Sequence, residues 1–174
     1  IAPSKDADKV IFLMDRIELG TQSLKEYRNF AGAGLTEQQK VNTVQETEDT
    51  HVLVGKLKST DPADTLIVTS IQKMSNISEE NEGLKAADLA IMNNKRLFFI
   101  IDECHRSTFG EMLLTIKQTF PRAIFFGFTG TPIQDENQKK MNTTSTVFGN
   151  ELHRYSIADG IRDKNVLGFD PYKV

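Results

Sequence analysis

Four short stretches, at 10–14, 66–69, 97–102 and 123–128, are apolar without alternation: Val10-Ile11-Phe12-Leu13-Met14 and Leu97-Phe98-Phe99-Ile100-Ile101 are the clearest. A strand with one wet face alternates apolar and polar residues, so unbroken runs of this length predict strands buried on both faces, as in a parallel sheet. Segments of helical period separate them. The stripe Leu24, Tyr27 and Ala31 predicts a helix over 18–31 before the Gly32-Ala33-Gly34 break, and further helices are expected over 49–58 and 84–92. Phe109, Met112, Leu113, Ile116 and Phe120 recur at i, i+3, i+4, i+7 and i+11 until Pro121, which predicts a helix over 108–120. Strands alternating with helices give right-handed βαβ units, hence an α/β parallel sheet with helices on both faces.

At 174 residues, 39% of them hydrophobic and 26% charged, the chain has the size and composition of one globular domain. Its apolar runs fall far short of the ~18 residues of a membrane helix, so no membrane partner is expected. The single cysteine, Cys104, cannot form an internal disulfide and has no CxxC partner, which fits a reducing compartment. There is neither an initiator Met nor a signal-peptide pattern, and the chain breaks off just after an apparent strand start, so we expect a fragment of something longer. The net charge of −3 lacks the basic excess of a domain that grips nucleic acid mainly by phosphate neutralisation. Two acidic stretches, Glu37, Glu46, Glu48 and Asp49, then Glu79, Glu80, Glu82 and Asp88, are expected to be solvated faces and loops. The span 134–146 reads as an exposed loop, and Ser156-Ile157-Ala158-Asp159 as the capping-box start of a short helix to about 164, with Asp in place of the usual Glu.

Open parallel sheets bind ligands at the carboxyl ends of their strands. All four runs end in polar residues: Asp15-Arg16, Thr69-Ser70, Asp102-Glu103-Cys104-His105 and Thr129-Gly130-Thr131-Pro132. Two adjacent carboxylates at the end of an apolar strand suit phosphoryl transfer, one holding a hydrated Mg²⁺ against phosphate oxygens and the other orienting or deprotonating the attacking water. A charged turn after a buried strand is the plain alternative, as a simple turn is for Thr129–Pro132. His51 and His153 have no metal-like partners in the sequence.

These motifs resemble those of superfamily 2 helicases and translocases. Asp102-Glu103-Cys104-His105 looks like the Walker B motif in its DExH form, and Thr129-Gly130-Thr131-Pro132 like motif III. Arg16-Ile17-Glu18-Leu19-Gly20-Thr21-Gln22 resembles motif Ia, and Val68-Thr69-Ser70-Ile71-Gln72-Lys73 the DNA-contacting motif that follows it. Taken with Val147-Phe148-Gly149, Tyr155-Ser156-Ile157 and Ala158-Asp159-Gly160-Ile161-Arg162-Asp163, the chain is similar to the restriction (R, motor) subunit of type I restriction-modification enzymes. A DEAD-box RNA helicase fits less well, because Thr-Gly-Thr stands where that group has Ser-Ala-Thr.

The resemblance implies a RecA-like lobe over 1–150, with 151–174 as linker and start of a second motor lobe. The whole would be an ATP- and Mg²⁺-dependent translocase of double-stranded DNA with an attached nuclease, working in a prokaryotic cytoplasm with specificity and methyltransferase subunits. It implies Asp102 as Mg²⁺ ligand, Glu103 as the residue activating water, His105 in a hydrogen-bond relay, and Thr129, Gly130 and Thr131 in coupling hydrolysis to lobe movement. Arg16, Thr21, Gln22, Thr69, Ser70 and Gln72 would touch DNA phosphates with neutral donors and one cation. That accommodates the negative charge, since a translocase positions itself on phosphates of any sequence without a strongly basic grip. For Thr21 and Gln22 the alternative is ordinary polarity in a first helical turn, and for His105 a plain surface histidine. No G-x-x-x-x-G-K-[ST] occurs, and Gly55-Lys56 is followed by Leu57, so the phosphate loop is expected before Ile1 and the fragment alone is expected to be inactive. A repair or remodelling translocase without a nuclease, and a non-catalytic DNA-binding or docking module, are the other readings.

Overall fold

The computed structural model describes residues 6–14, 44–46, 50–77, 85–102, 104, 109–130 and 148–167. Five parallel strands form one sheet: β1 (Lys9–Met14), β2 (Val44–Glu46), β3 (Leu66–Ser70), β4 (Leu97–Ile101) and β5 (Ile124–Gly127), in the order β2-β3-β1-β4-β5. Between them lie helices α1 (Thr50–Lys58), α2 (Ile71–Ser75), α3 (Ala86–Asn93) and α4 (Phe109–Thr119), with a 3-10 turn at Pro62–Asp64, and a last helix, α5 (Ile157–Arg162), follows β5. This is the expected α/β architecture of the RecA-like type, a parallel sheet with flanking helices.

The pleat divides the sheet's side chains into two clusters. Ile11 and Leu13 of β1, Ile67 of β3, and Phe99 and Ile101 of β4 point to one face. There they meet Leu53 and Leu57 of α1, Ile71 and Met74 of α2, Leu89 and Met92 of α3, and Leu113 and Ile116 of α4. Phe99 stacks on Phe125 with ring centroids 4.8 Å apart and leans on Phe120 at 5.7 Å. Phe12, Met14 and Val68 form a second buried cluster on the opposite face, against Leu66 and Ile100. Every residue of β1 is buried, as the unbroken apolar run 10–14 requires, and Lys9, which opens the strand, is buried with it.

Three features differ from the sequence expectation. The run at 123–128 is not buried on both faces, for Ile124 is 47% and Phe128 58% exposed. Among the described strands β5 pairs only with β4, so it is an edge strand, and an apolar run does not reveal which strand lies at an edge. Val44–Glu46, inside a stretch expected to be solvated loop, is a strand held by backbone pairing to β3. Helix α2 follows β3 without a connecting loop: the Ser70 hydroxyl accepts from the Lys73 amide at 3.3 Å and so caps it. The expectations for 18–31 and 134–146 fall outside the described residues.

At the amino edge of the sheet two lysines satisfy chain ends. Lys9 Nζ donates to the Asp64 carbonyl at 2.7 Å, while Lys95 Nζ donates to the Lys58 carbonyl at 2.7 Å and to that of Ser59. The end of α1 is thereby tied to the start of β4, on the side of the sheet away from the polar strand exits.

Candidate functional site

Because all strands run parallel, their carboxyl ends share one edge. Register places Thr69, Leu13, Ile101 and Gly127 in a single row across β3, β1, β4 and β5, with Ser70 beside Met14 in the next. Asp102, Thr129 and Gly130 follow from that row, so the structure gathers Ser70, Asp102, Thr129 and Gly130 on one rim. Asp102 is exposed there, Thr129 half-buried and Gly130 exposed. Thr69 lies below the rim at 4% exposure, on the side packed by helices, and Ser70 is half-buried with its hydroxyl engaged in capping α2. Gln72 is exposed on the first turn of α2, its amide donating to Asn76 Oδ1 at 3.3 Å. Arg16, Thr21, Gln22, Glu103, His105 and Thr131 lie outside the described residues.

The turn that leaves β4 is fastened on two sides. The Asp102 amide donates to the Leu13 carbonyl at 3.3 Å, and the Cys104 amide to the Phe128 carbonyl at 3.1 Å, just after the Phe128 amide has donated to the Ile101 carbonyl at 2.8 Å. Asp102 and Cys104 are therefore anchored to the exits of β1 and β5, with the second carboxylate residue between them in sequence. Cys104 is 8% exposed and joins the main core cluster, as a small apolar spacer inside the polar motif would.

Sequence reasoning missed how this turn is packed. A methyl group on Gly127 would meet Cys104 Sγ at 2.8 Å and two ring atoms of Phe148 at 2.9 Å, so only glycine admits both neighbours. The signal was present: a glycine inside the apolar run Ile124-Phe125-Phe126-Gly127-Phe128 marks close approach by another group. Lys117 of α4 holds its ammonium 5.2 Å from the Phe125 ring centroid and 5.4 Å from that of Phe148, and desolvation lowers its pKa.

An exposed carboxylate at a strand exit suits Mg²⁺ carried mostly by phosphate oxygens and water, a mode of binding that needs no protein cage. Among the described residues no group of three or more His, Cys, Asp or Glu could hold a metal, and no helix is long and apolar enough to cross a membrane.

A parallel α/β lobe of RecA-like type, with an acidic strand exit strapped into its carboxyl rim, is the class that fold and site define. The chain belongs to the SWI2/SNF2 ATPase family, whose sequence profile matches residues 1–172. It is 42% identical over 170 residues, 97% of its length, to the type I restriction enzyme SsaAORF53P endonuclease subunit of Staphylococcus saprophyticus. The match to the SauCOLORF180P endonuclease subunit of Staphylococcus aureus has the same identity and coverage. A putative type I restriction enzyme endonuclease subunit, C-terminal part, from Mycoplasma pneumoniae is 36% identical over 113 residues, 65% of this chain and 49% of that protein. The chain spans 17% of the length of the two staphylococcal relatives.

Proposed function

We propose that residues 1–150 form the first motor lobe of the endonuclease (R) subunit of a type I restriction enzyme, and that 151–174 lead into its second lobe. In this reading the subunit hydrolyses ATP to move double-stranded DNA and then cuts it, in a prokaryotic cytoplasm, in complex with specificity and methyltransferase subunits. The observation that carries the proposal is the acidic exit of β4, held to the backbones of β1 and β5 at the one rim where the other polar exits gather.

Each part of that rim has work to do. Asp102 would hold Mg²⁺, which with the triphosphate would supply charge neutralisation at the transferred phosphoryl group. Glu103 orients the attacking water and takes its proton, with His105 in the hydrogen-bond relay toward the β5 exit. Thr129, Gly130 and Thr131 couple hydrolysis to movement between lobes. Ser70 and Gln72 form with Arg16, Thr21 and Gln22 a track of mostly neutral donors for DNA phosphates, whereas Thr69, expected among them, is 4% exposed and too buried to reach a phosphate.

The test is Glu103→Gln in the intact enzyme. DNA-stimulated ATP hydrolysis should fall at least ~100-fold, the usual worth of a general base, while binding of the recognition site is retained. Undiminished hydrolysis would remove Glu103 from this role. The 174-residue chain by itself should show negligible ATP hydrolysis.

A further inference from the structure

The described chain leaves the carboxyl rim at Gly130 and is back against it at Phe148. Two ring atoms of Phe148 and the Sγ of Cys104 crowd the same bare backbone position of Gly127, where a methyl group would stand 2.9 Å and 2.8 Å from them. From the α4 side, the Lys117 ammonium lies 5.4 Å from the Phe148 ring centroid. Cys104 belongs to the turn after β4, its amide already bonded to the Phe128 carbonyl. Among the described residues, the ring of Phe148 thus shares with the Cys104 side chain the space over Gly127, where that turn meets β5.

We propose that Phe148 is a positioning residue for the acidic exit: seated on Gly127 beneath Lys117, its ring holds the Cys104 side chain against β5 and so fixes the turn that presents Asp102 and Glu103. This rests on the reading that those two carboxylates serve ATP hydrolysis. The physical ground is close packing, in which an emptied site leaves its neighbours without contacts on one side and free to move into it. A side chain on Gly127 would evict the same neighbours from the opposite direction. Reacting groups displaced by about 1 Å lose on the order of 100-fold in rate, so a loosened turn lowers turnover while the nucleotide's remaining contacts keep its affinity.

Cys104 reports on its own packing, independently of activity. In the intact endonuclease subunit, alkylation of Cys104 by N-ethylmaleimide would be followed by mass spectrometry of its peptide, for Phe148→Ala, Gly127→Ala and Phe148→Leu. Leu57→Ala is the control, a core truncation at the far end of the sheet that destabilises without touching the rim. Phe148→Ala and Gly127→Ala should label at least ~10-fold faster than the parent, as a locally opened thiol does, whereas Leu57→Ala should label like the parent. In the assembled enzyme, Phe148→Ala should lower kcat for ATP at least ~10-fold with KM changed less than ~2-fold, and Phe148→Leu should recover most of that loss.

Parental labelling rates in both rim variants would overturn the proposal. So would equal acceleration by Leu57→Ala, or a full kcat in Phe148→Ala despite an opened Cys104. The underlying functional reading fails by a different result, undiminished hydrolysis in Glu103→Gln, which leaves the labelling outcome unaffected.

Discussion

Asp102 is bonded to Leu13 across the strand boundary, its amide donating to the Leu13 carbonyl at 3.3 Å after β4 has formally ended at Ile101. Leu13 and Ile101 are fully buried neighbours in the row beneath. The carboxylate therefore sits one residue above the most constrained part of the molecule, and it is placed by backbone hydrogen bonding to the central strand. Cys104 repeats the arrangement on the other side, through the Phe128 carbonyl. A site built in this way draws its rigidity from the sheet, the kind of element that holds reacting groups to the tolerance catalysis needs.

Two glycines of the β5 exit should answer substitution in opposite ways. Gly127 has no room for a methyl group, but nothing lies within 4 Å of one at Gly130, and Gly130 is not among the glycines with positive φ. Gly130→Ala should therefore change stability by less than about 0.5 kcal/mol, as surface substitutions do. It should nonetheless reduce DNA-stimulated ATP hydrolysis by the intact enzyme, because its proposed place is in the element that couples hydrolysis to lobe movement. Denaturant midpoints and turnover measured on the same variant separate the two. A full rate would take Gly130 out of the coupling element.

Much of this frame was legible in the sequence because the signals are local. Unbroken apolar runs located β1, β3, β4 and β5, and the stripe ending at Phe120 located α4, whose Leu113 and Ile116 are buried with it. Strand β2 escaped because Val44–Glu46 is held at an edge by backbone bonds, which leave no mark in side-chain pattern. Helix α2 is too short to show a period, although Ile71 and Met74 bury its one apolar side. The acidic exit was readable as two carboxylates after an apolar run. Its packing was not, since Gly127, Cys104 and Phe148 meet across a long polar stretch of chain and no local pattern joins them.

The Ser156 capping box is a sequence expectation met atom by atom. The Ser156 hydroxyl accepts from the Asp159 amide at 3.2 Å, and the Asp159 carboxylate accepts from the Ser156 amide at 2.9 Å. The Ser156 hydroxyl also donates to the Asp159 carboxylate at 2.6 Å, and this bond foremost, with the one from the Ser156 amide, draws the Asp159 pKa below its ordinary value. Ser156→Ala should cost helix α5 about 1 kcal/mol. The only buried residue of that helix is Gly160, so the effect should stay local. Hydrogen exchange should quicken at amides 157–162 and remain unchanged in β1 and β4. Faster exchange across the whole sheet, or none of the local gain, would contradict this view of α5.

Lys9 gives the chain an unusual dependence on alkaline pH. It opens β1 at 1% exposure, with Nζ bonded to the Asp64 carbonyl at 2.7 Å. Desolvation, aided by the Lys95 ammonium and partly opposed by Asp64, Asp61 and Asp8, pushes its pKa from 10.5 down to about 8. A lysine whose folded pKa lies below its unfolded one binds its proton more tightly when unfolded, so stability rises with pH between the two values. Below pH 8 the charge is present in both states, and the full cost of burying it is in force. Each pH unit of the window is worth about 1.4 kcal/mol, which makes the rise roughly 3 kcal/mol in all. Lys9→Met removes the buried charge but orphans the Asp64 carbonyl, at about 1–3 kcal/mol, so at pH 7 the two effects largely offset. What the variant should lack is the slope. Urea midpoints measured from pH 7 to 10 should climb for the parent chain relative to Lys9→Met, and parallel profiles would show that Lys9 keeps its proton throughout.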